Sequence, residues 1–249
     1  MSNILWRNMK WRFQNPLSIL VTILQPFLWL VMYSVVVGQS MNSARVENYT
    51  AFMLPGIIVL VTFSACSSSG IINYLNKKSG GFYRILISPI KRTSIILGQT
   101  FEAIMLAFFE ITILCLVSLF FSVKFQFSIV GILVCVILIL LTAFFMANLA
   151  YSISLILPNE VIYETVMNSI VLPIFFMSTA LIAQSDLKGK LKFIVELNPF
   201  THVINILRDV LLYGKVNILS ALKVIVLMAI LSSVVFILAN YRLKKETIS

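Results

Sequence analysis

Few side chains in this sequence could do covalent chemistry, and their spacing excludes most of it. Cys66, Cys115 and Cys135 are odd in number and far apart, so they read as small apolar residues rather than as disulfides or ligands. His202 is the single histidine and has no second His, Cys or acidic residue at ligand spacing, so no metal site is expected. A Gly-Lys-Ser/Thr triplet, the end of a Walker A loop, occurs nowhere. One histidine cannot build a Ser/His/Asp set on its own surroundings. No catalytic residue is expected, and no cofactor bound by this chain.

The ionisable groups that draw notice sit in apolar surroundings. Glu102 and Glu110 are the only charges between Arg92 and Lys124. Glu110 follows Arg92 by 18 residues, roughly 27 Å along a helix, which places it in the outer half of the bilayer for a span that starts at Arg92. An ionisable residue at that depth is costly, and it marks either a pathway or a buried hydrogen bond to a neighbouring helix. Glu102 lies nearer the helix start and reads as structural. Glu160 and Glu164 share one helix face, where they would either meet a partner protein or repel each other.

What must position these groups follows from composition. Of 249 residues, 60% are hydrophobic and 11% charged, with a mean hydropathy of +1.01. A soluble domain runs near half apolar and about a quarter charged, and one of this size could not hide the excess. A soluble enzyme and a nucleic-acid-binding domain are therefore excluded. The net charge of +10 then implies contact with anionic lipid head groups.

Charges leave long gaps at 13–44, 48–76, 125–159, 165–185 and 224–241. A membrane-spanning helix needs roughly 20 apolar residues, and runs this long are not barrel strands. The expectation is an all-α integral membrane protein, one domain over 1–249, with six transmembrane helices near 17–38, 52–74, 94–122, 128–156, 163–183 and 218–240. With both termini inside, eleven basic residues flank the inner ends and eight the outer ones, an orientation favoured by the positive-inside rule. Residues 13–44 are too long for the apolar core of a cleaved signal peptide. Over 1–15, Leu5, Trp6, Met9 and Phe13 share one helical face and Arg7, Lys10 and Gln14 the opposite one. That pattern suits an interfacial amphipathic helix; a basic leader that only fixes topology is the plainer alternative.

Two connecting segments carry further information. Over 77–92, Gly80-Gly81 permits a turn, Phe82, Tyr83, Ile85, Leu86 and Ile87 form an apolar stretch too short to span, and Pro89 precedes Lys91-Arg92. Such an element suits docking to another protein at the cytoplasmic surface, or simply a basic loop that sets topology. Over 184–216, apolar residues such as Phe193, Ile194, Val203, Ile204 and Leu207 alternate with charges, as in short amphipathic helices. Within the spans, Ser64, Ala65, Ser68 and Ser69 point to close helix packing. Gln25-Pro26 and Asn168 to Pro173 place a polar group beside a helix kink.

In Lys77, Gly80, Arg84, Leu86, Pro89, Arg92 and Gly98, in their order and spacing, the chain resembles the membrane subunit of bacterial ABC exporters of the type-two permease family, drug- and antibiotic-resistance branch. Leu54-Pro55-Gly56 resembles that family's opening of its second span, and Asn198-Pro199-Phe200 with Arg208 and Gly214 resembles its signature before the last span. One departure is Asn76, where the family has an acidic residue.

The resemblance implies that 77–92 is a coupling helix seated in a cytoplasmic ABC ATPase, with Gly80, Phe82, Tyr83, Arg84, Leu86, Pro89 and Arg92 as coupling residues. ATP and Mg would be bound by two copies of that partner, none by this chain. It implies a second permease copy packed through Pro26, Asn168 and Pro173, with a lateral substrate passage as the sharper use of these residues. It implies short outer re-entrant helices over 184–216 that gate the pathway, with Pro199 and Arg208 as gating residues; an interfacial helix pair without a gating role is the alternative. The expected cargo is an amphiphilic drug, antibiotic or lipid-like molecule exported across a bacterial plasma membrane. Polysaccharide permeases of the family carry added segments that this sequence does not show. A lipid-linked polysaccharide permease and an ATP-independent six-helix channel or scaffold remain the other readings.

Overall fold

The computed structural model describes residues 49–82, 91–126, 128–182 and 187–246, together with Leu20, Leu24, Phe27, Leu28, Leu30, Val31 and Met32. The interfacial helix expected over 1–15, Pro26, Tyr83, Arg84, Leu86 and Pro89 lie outside the described residues, as does most of the first expected span. Among the described residues there are helices and no strand.

The helices are α1 (Tyr49–Lys78), α2 (Arg92–Phe120), α3 (Ile129–Ile156), α4 (Glu160–Phe176), α5 (Gly189–Leu197), α6 (Pro199–Tyr213) and α7 (Ile218–Glu246). Four of them, α1, α2, α3 and α7, are long and apolar enough to cross a membrane. They coincide with the second, third, fourth and sixth expected spans. The fifth is a 17-residue helix, about 26 Å long, which stops short of the residue 183 that the uncharged window suggested. It stops because its last carbonyls are taken from outside: Asn198 Nδ2 donates to the carbonyls of Ile174 at 2.7 Å and Met177 at 2.9 Å, and the Ser178 hydroxyl donates to that of Phe175.

α1 is the buried centre and α7 the most exposed of the long helices. α1 packs against α2, α3, α4 and α6, and α7 packs against α3, α6 and α2. Two glycines let α4 and the turn after it come close to α1. A β-carbon at Gly70 would clash with Tyr163 Oη of α4, and one at Gly56 would lie 2.6 Å from the Ala180 β-carbon in that turn. Tyr163, fully buried, donates its hydroxyl to the Ser67 carbonyl at 2.8 Å. Small residues thus set the approach, as expected where lipid supplies no hydrophobic drive between helices. Ala65 packs with Leu106 and Ala107 of α2, which agrees with the packing reading of the small residues in the second span.

Local sequence explains the element ends. Asn159 caps α4 by accepting the Ile162 N–H at 2.8 Å. Asn198 caps α6 by accepting the Phe200 N–H at 3.0 Å, and Pro199 occupies the first helical position, where its missing donor costs nothing. Phe200 then inserts edge-on against Phe63 of α1 and Phe145 of α3, with ring centroids 4.8 and 5.7 Å apart. Both partners lie near the midpoints of their helices, so α6 begins at mid-depth and returns toward the end where α1 starts.

Candidate functional site

Two ends of α1 carry the chemistry-bearing residues. At its start, Arg208 of α6 is 7% exposed and reaches three elements. Its Nε donates to the Phe52 carbonyl at 3.1 Å, its Nη1 to Asn205 Oδ1 at 3.1 Å and its Nη2 to the Thr179 carbonyl at 2.6 Å. The guanidinium lies over the Phe52 ring, 3.9 Å from its centroid, a cation–π geometry. A guanidinium keeps its charge even when buried. The neighbouring Asp209 faces outward, exposed. Among the described residues, Arg208 makes no ion pair, and its charge is met by oxygen dipoles and one ring. Thr179 Oγ1 donates to Asn205 Oδ1 at 2.7 Å, and the Tyr49 hydroxyl donates to the Leu181 carbonyl at 2.9 Å. Together these bonds tie α6, the first turns of α1 and the turn after α4 into one knot.

A buried polar seam runs along the opposite half of α1. Ser69 donates to Glu102 Oε2 at 2.7 Å and Gln99 Nε2 to the Ser69 carbonyl at 3.2 Å, joining α1 to α2. Asn73 Nδ2 donates to Ser154 Oγ at 2.8 Å, and Lys77 Nζ to the Leu155 carbonyl at 3.1 Å, joining α1 to α3. Thr100 reaches Asn148 Oδ1 at 3.4 Å, joining α2 to α3. Glu102 is fully buried with a protein donor, in line with its structural reading. Glu110 is also buried, 1% exposed, about two turns further along the same helix.

Beyond Lys78 the chain turns at Gly80, whose φ of +75° is one that side chains rarely adopt. Ser79 and Gly80 close the turn with N–H bonds to the carbonyls of Leu75 and Lys77. Phe82 is then buried in one apolar cluster with Ile96 of α2, Tyr151 and Leu155 of α3, and Ala239 and Leu243 of α7. Arg92 stands exposed at the first position of α2.

The expected residues therefore fall into separate places. Pro199 and Arg208 belong to the knot at the start of α1, where Pro199 opens the helix that carries Arg208. Gly80, Phe82 and Arg92 gather at the other end. Asn168 and Pro173 lie on the exposed face of α4, with Thr165 and Ser169. His202 lies at the α5–α6 corner, its Nε2 3.0 Å from the Glu196 carbonyl. Among the described residues there is no group of three or more His, Cys, Asp or Glu that could hold a metal.

Sequence reasoning missed Phe52, Thr179 and Asn205, which meet Arg208, and the seating of Tyr163 on Gly70. The signal available for the second was a glycine inside an apolar helix, which costs about 1 kcal/mol against alanine unless something approaches closely. For the first there was no local signal, because the bonds to Phe52 and Thr179 use main-chain carbonyls.

Comparison with known proteins supplies the family. The family described as ABC-2 type transporter matches residues 1–212. Among curated relatives, a protein named "Putative transport permease ycf38" from Cyanophora paradoxa is 26% identical over 198 residues, covering 78% of this chain and 68% of that one. Its namesake from Porphyra purpurea is 28% identical over 201 residues, covering 80% and 68%. The one from Pyropia yezoensis is 27% identical over 210 residues, covering 83% and 70%.

Proposed function

The chain belongs to the ABC-2 type transporter family, and from that premise we propose that it is the membrane subunit of an ATP-driven exporter for an amphiphilic drug, antibiotic or lipid-like molecule. The observation that carries the proposal is the continuity of α1. It runs unbroken from Tyr49 to Lys78, about 45 Å at the rise of a helix. One end receives Arg208 and the other leads into 77–92, the segment that resembles the family's coupling element.

A rigid helix of that kind can carry a displacement from one membrane face to the other without chemistry in the membrane subunit. An ATPase would push on 77–92, and α1 would move the knot at Phe52, Thr179 and Arg208. Because that knot is built from hydrogen bonds to main-chain oxygens, it can exist in a made and a broken form, which a two-state gate needs. The start of α6 at mid-depth supports reading 184–216 as a re-entrant element. Irregular backbone at such depth is tolerated where protein or a water-filled cavity covers it.

Two ATPase copies and a second permease copy complete the proposed assembly. Asn168 puts an amide on an exposed face of α4 that would otherwise meet hydrocarbon, while Thr165 and Ser169 donate to carbonyls of their own helix; a second copy of the chain would relieve the cost of that amide. The basic residues flanking the spans support termini on the cytoplasmic side, and the resemblance to bacterial exporters supports a bacterial plasma membrane. Co-purification with a soluble ATPase whose hydrolysis the permease alters tests the assignment. Purification alone, with ion flux in vesicles and no ATP requirement, would favour the channel reading. Export of a lipid-linked glycan in place of a small amphiphile would move the substrate class to the polysaccharide permeases.

A further inference from the structure

We infer that Phe82 is a positioning residue that hands movement of the coupling segment to α7, so that the last helix is a second arm of the transmission beside α1. The inference rests on the coupling reading above and extends it to α7, which lies beyond the family match ending at residue 212.

The geometry separates Phe82 from α1. The side chain is 1% exposed, and the buried apolar cluster it belongs to is drawn from α2, α3 and α7. The turn at Ser79–Gly80 stands between the two. A displacement entering at 77–92 therefore divides: one part passes into the end of α1 at Lys78, the other into the socket of Ile96, Tyr151, Leu155, Ala239 and Leu243.

α7 is built to respond. At its inner end Ala239 and Leu243 are fully buried while the neighbouring Ile237 and Tyr241 are about two-thirds exposed. Among its further ties to α3, the Ser232 hydroxyl donates to the Leu141 carbonyl at 3.0 Å, and Phe236, which also packs on the inner cluster, meets Phe144 at 5.6 Å. Ser232 lies 11 residues before Leu243, roughly 16 Å along the helix. A push on Leu243 thus enters α7 about three turns from the Ser232 bond to α3. Ala239 is fully buried in the same cluster as Phe82, and close packing transmits displacement where a cavity would absorb it.

The test uses the full chain with its partner ATPase in vesicles, the three native cysteines replaced by alanine. One probe is attached at Lys78→Cys on α1 and, in a second protein, at Lys244→Cys on α7; both native side chains are exposed. The readout is the change in probe mobility between the nucleotide-free state and the state trapped with ATP and vanadate. Both probes are expected to respond in the parent. With Phe82→Ala the α7 response falls about threefold or more, the scale of coupling between side chains in contact, while the α1 response persists. Phe82→Leu, which refills most of the socket, restores it.

An α7 response that survives Phe82→Ala at full size overturns this inference alone, and so does a parent in which only α1 responds. Loss of both responses with Phe82→Ala makes Phe82 an ordinary packing residue and also overturns it. A parent in which neither probe responds overturns the coupling reading, and the inference falls with it.

Discussion

Arg208 and Phe52 meet twice across 156 residues of sequence: Nε donates to the Phe52 carbonyl at 3.1 Å, and the guanidinium plane covers the Phe52 ring at 3.9 Å. The first contact fixes the direction of the side chain and the second desolvates it. Together with the Thr179 carbonyl they hold a buried cation without a carboxylate, so that removal of any one helix from the knot leaves that charge exposed or unmet.

Arg208→Lys is expected to behave almost as badly as Arg208→Gln. Lysine keeps the charge but cannot reach two carbonyls and a ring with one planar fork. Each lost bond from a charged donor is worth about 1.5–3 kcal/mol. Thermal unfolding of the purified protein should show both variants clearly destabilised; a lysine variant as stable as the parent would mean that charge alone matters at this site.

The close seating of α4 on α1 is open to a paired test. Gly70→Ala places a β-carbon against Tyr163 Oη and should destabilise by about 1–3 kcal/mol, the usual cost of overpacking. Tyr163→Phe removes the clashing oxygen and, in the double variant, should recover part of that loss. Additive losses in the double variant would show that the two helices do not meet there.

Much of this architecture was legible in the sequence. Uncharged windows found α1, α3 and α7, and a window holding only Glu102 and Glu110 found α2, with ends within about six residues, because a membrane span is set by a long-range demand on composition that no local rule overrides. The fifth span is shorter than its uncharged window because composition does not report that Asn198, more than 20 residues on, takes its last carbonyls. The Asn198-Pro199-Phe200 motif was visible, and in the fold Asn198 caps α6, Pro199 opens its first turn and Phe200 enters the core. Arg208 was visible too, while Phe52 and Thr179 were not, since a carbonyl acceptor carries no side-chain signature. The seating of Phe82 against α7 joins positions about 160 residues apart through shape alone, which one sequence cannot reveal.

The buried seam makes a prediction about charge. Glu102→Gln keeps an oxygen to accept the Ser69 hydroxyl and should leave stability within about 1 kcal/mol, whereas Glu102→Leu strands Ser69 and should cost about 1–3 kcal/mol. Both are read by thermal unfolding in detergent. A leucine variant equal to the glutamine one would show that the Ser69 bond contributes nothing net.

The proposed dimer face predicts contact between copies. Asn168→Cys, in a chain without native cysteines, should form a disulfide-linked dimer on mild oxidation in native membranes, while a cysteine at Val234, on the exposed side of α7, should not. Equal cross-linking at both positions would point to random collision.

The claim that ATP hydrolysis elsewhere drives this subunit through 77–92 is tested most directly by ATPase activity of the assembled complex. Arg84→Ala and Pro89→Ala, in the segment that resembles the coupling element, are expected to leave the permease folded and inserted yet to abolish most of its effect on the ATPase rate. Hydrolysis indistinguishable from the parent complex in both variants would contradict the account.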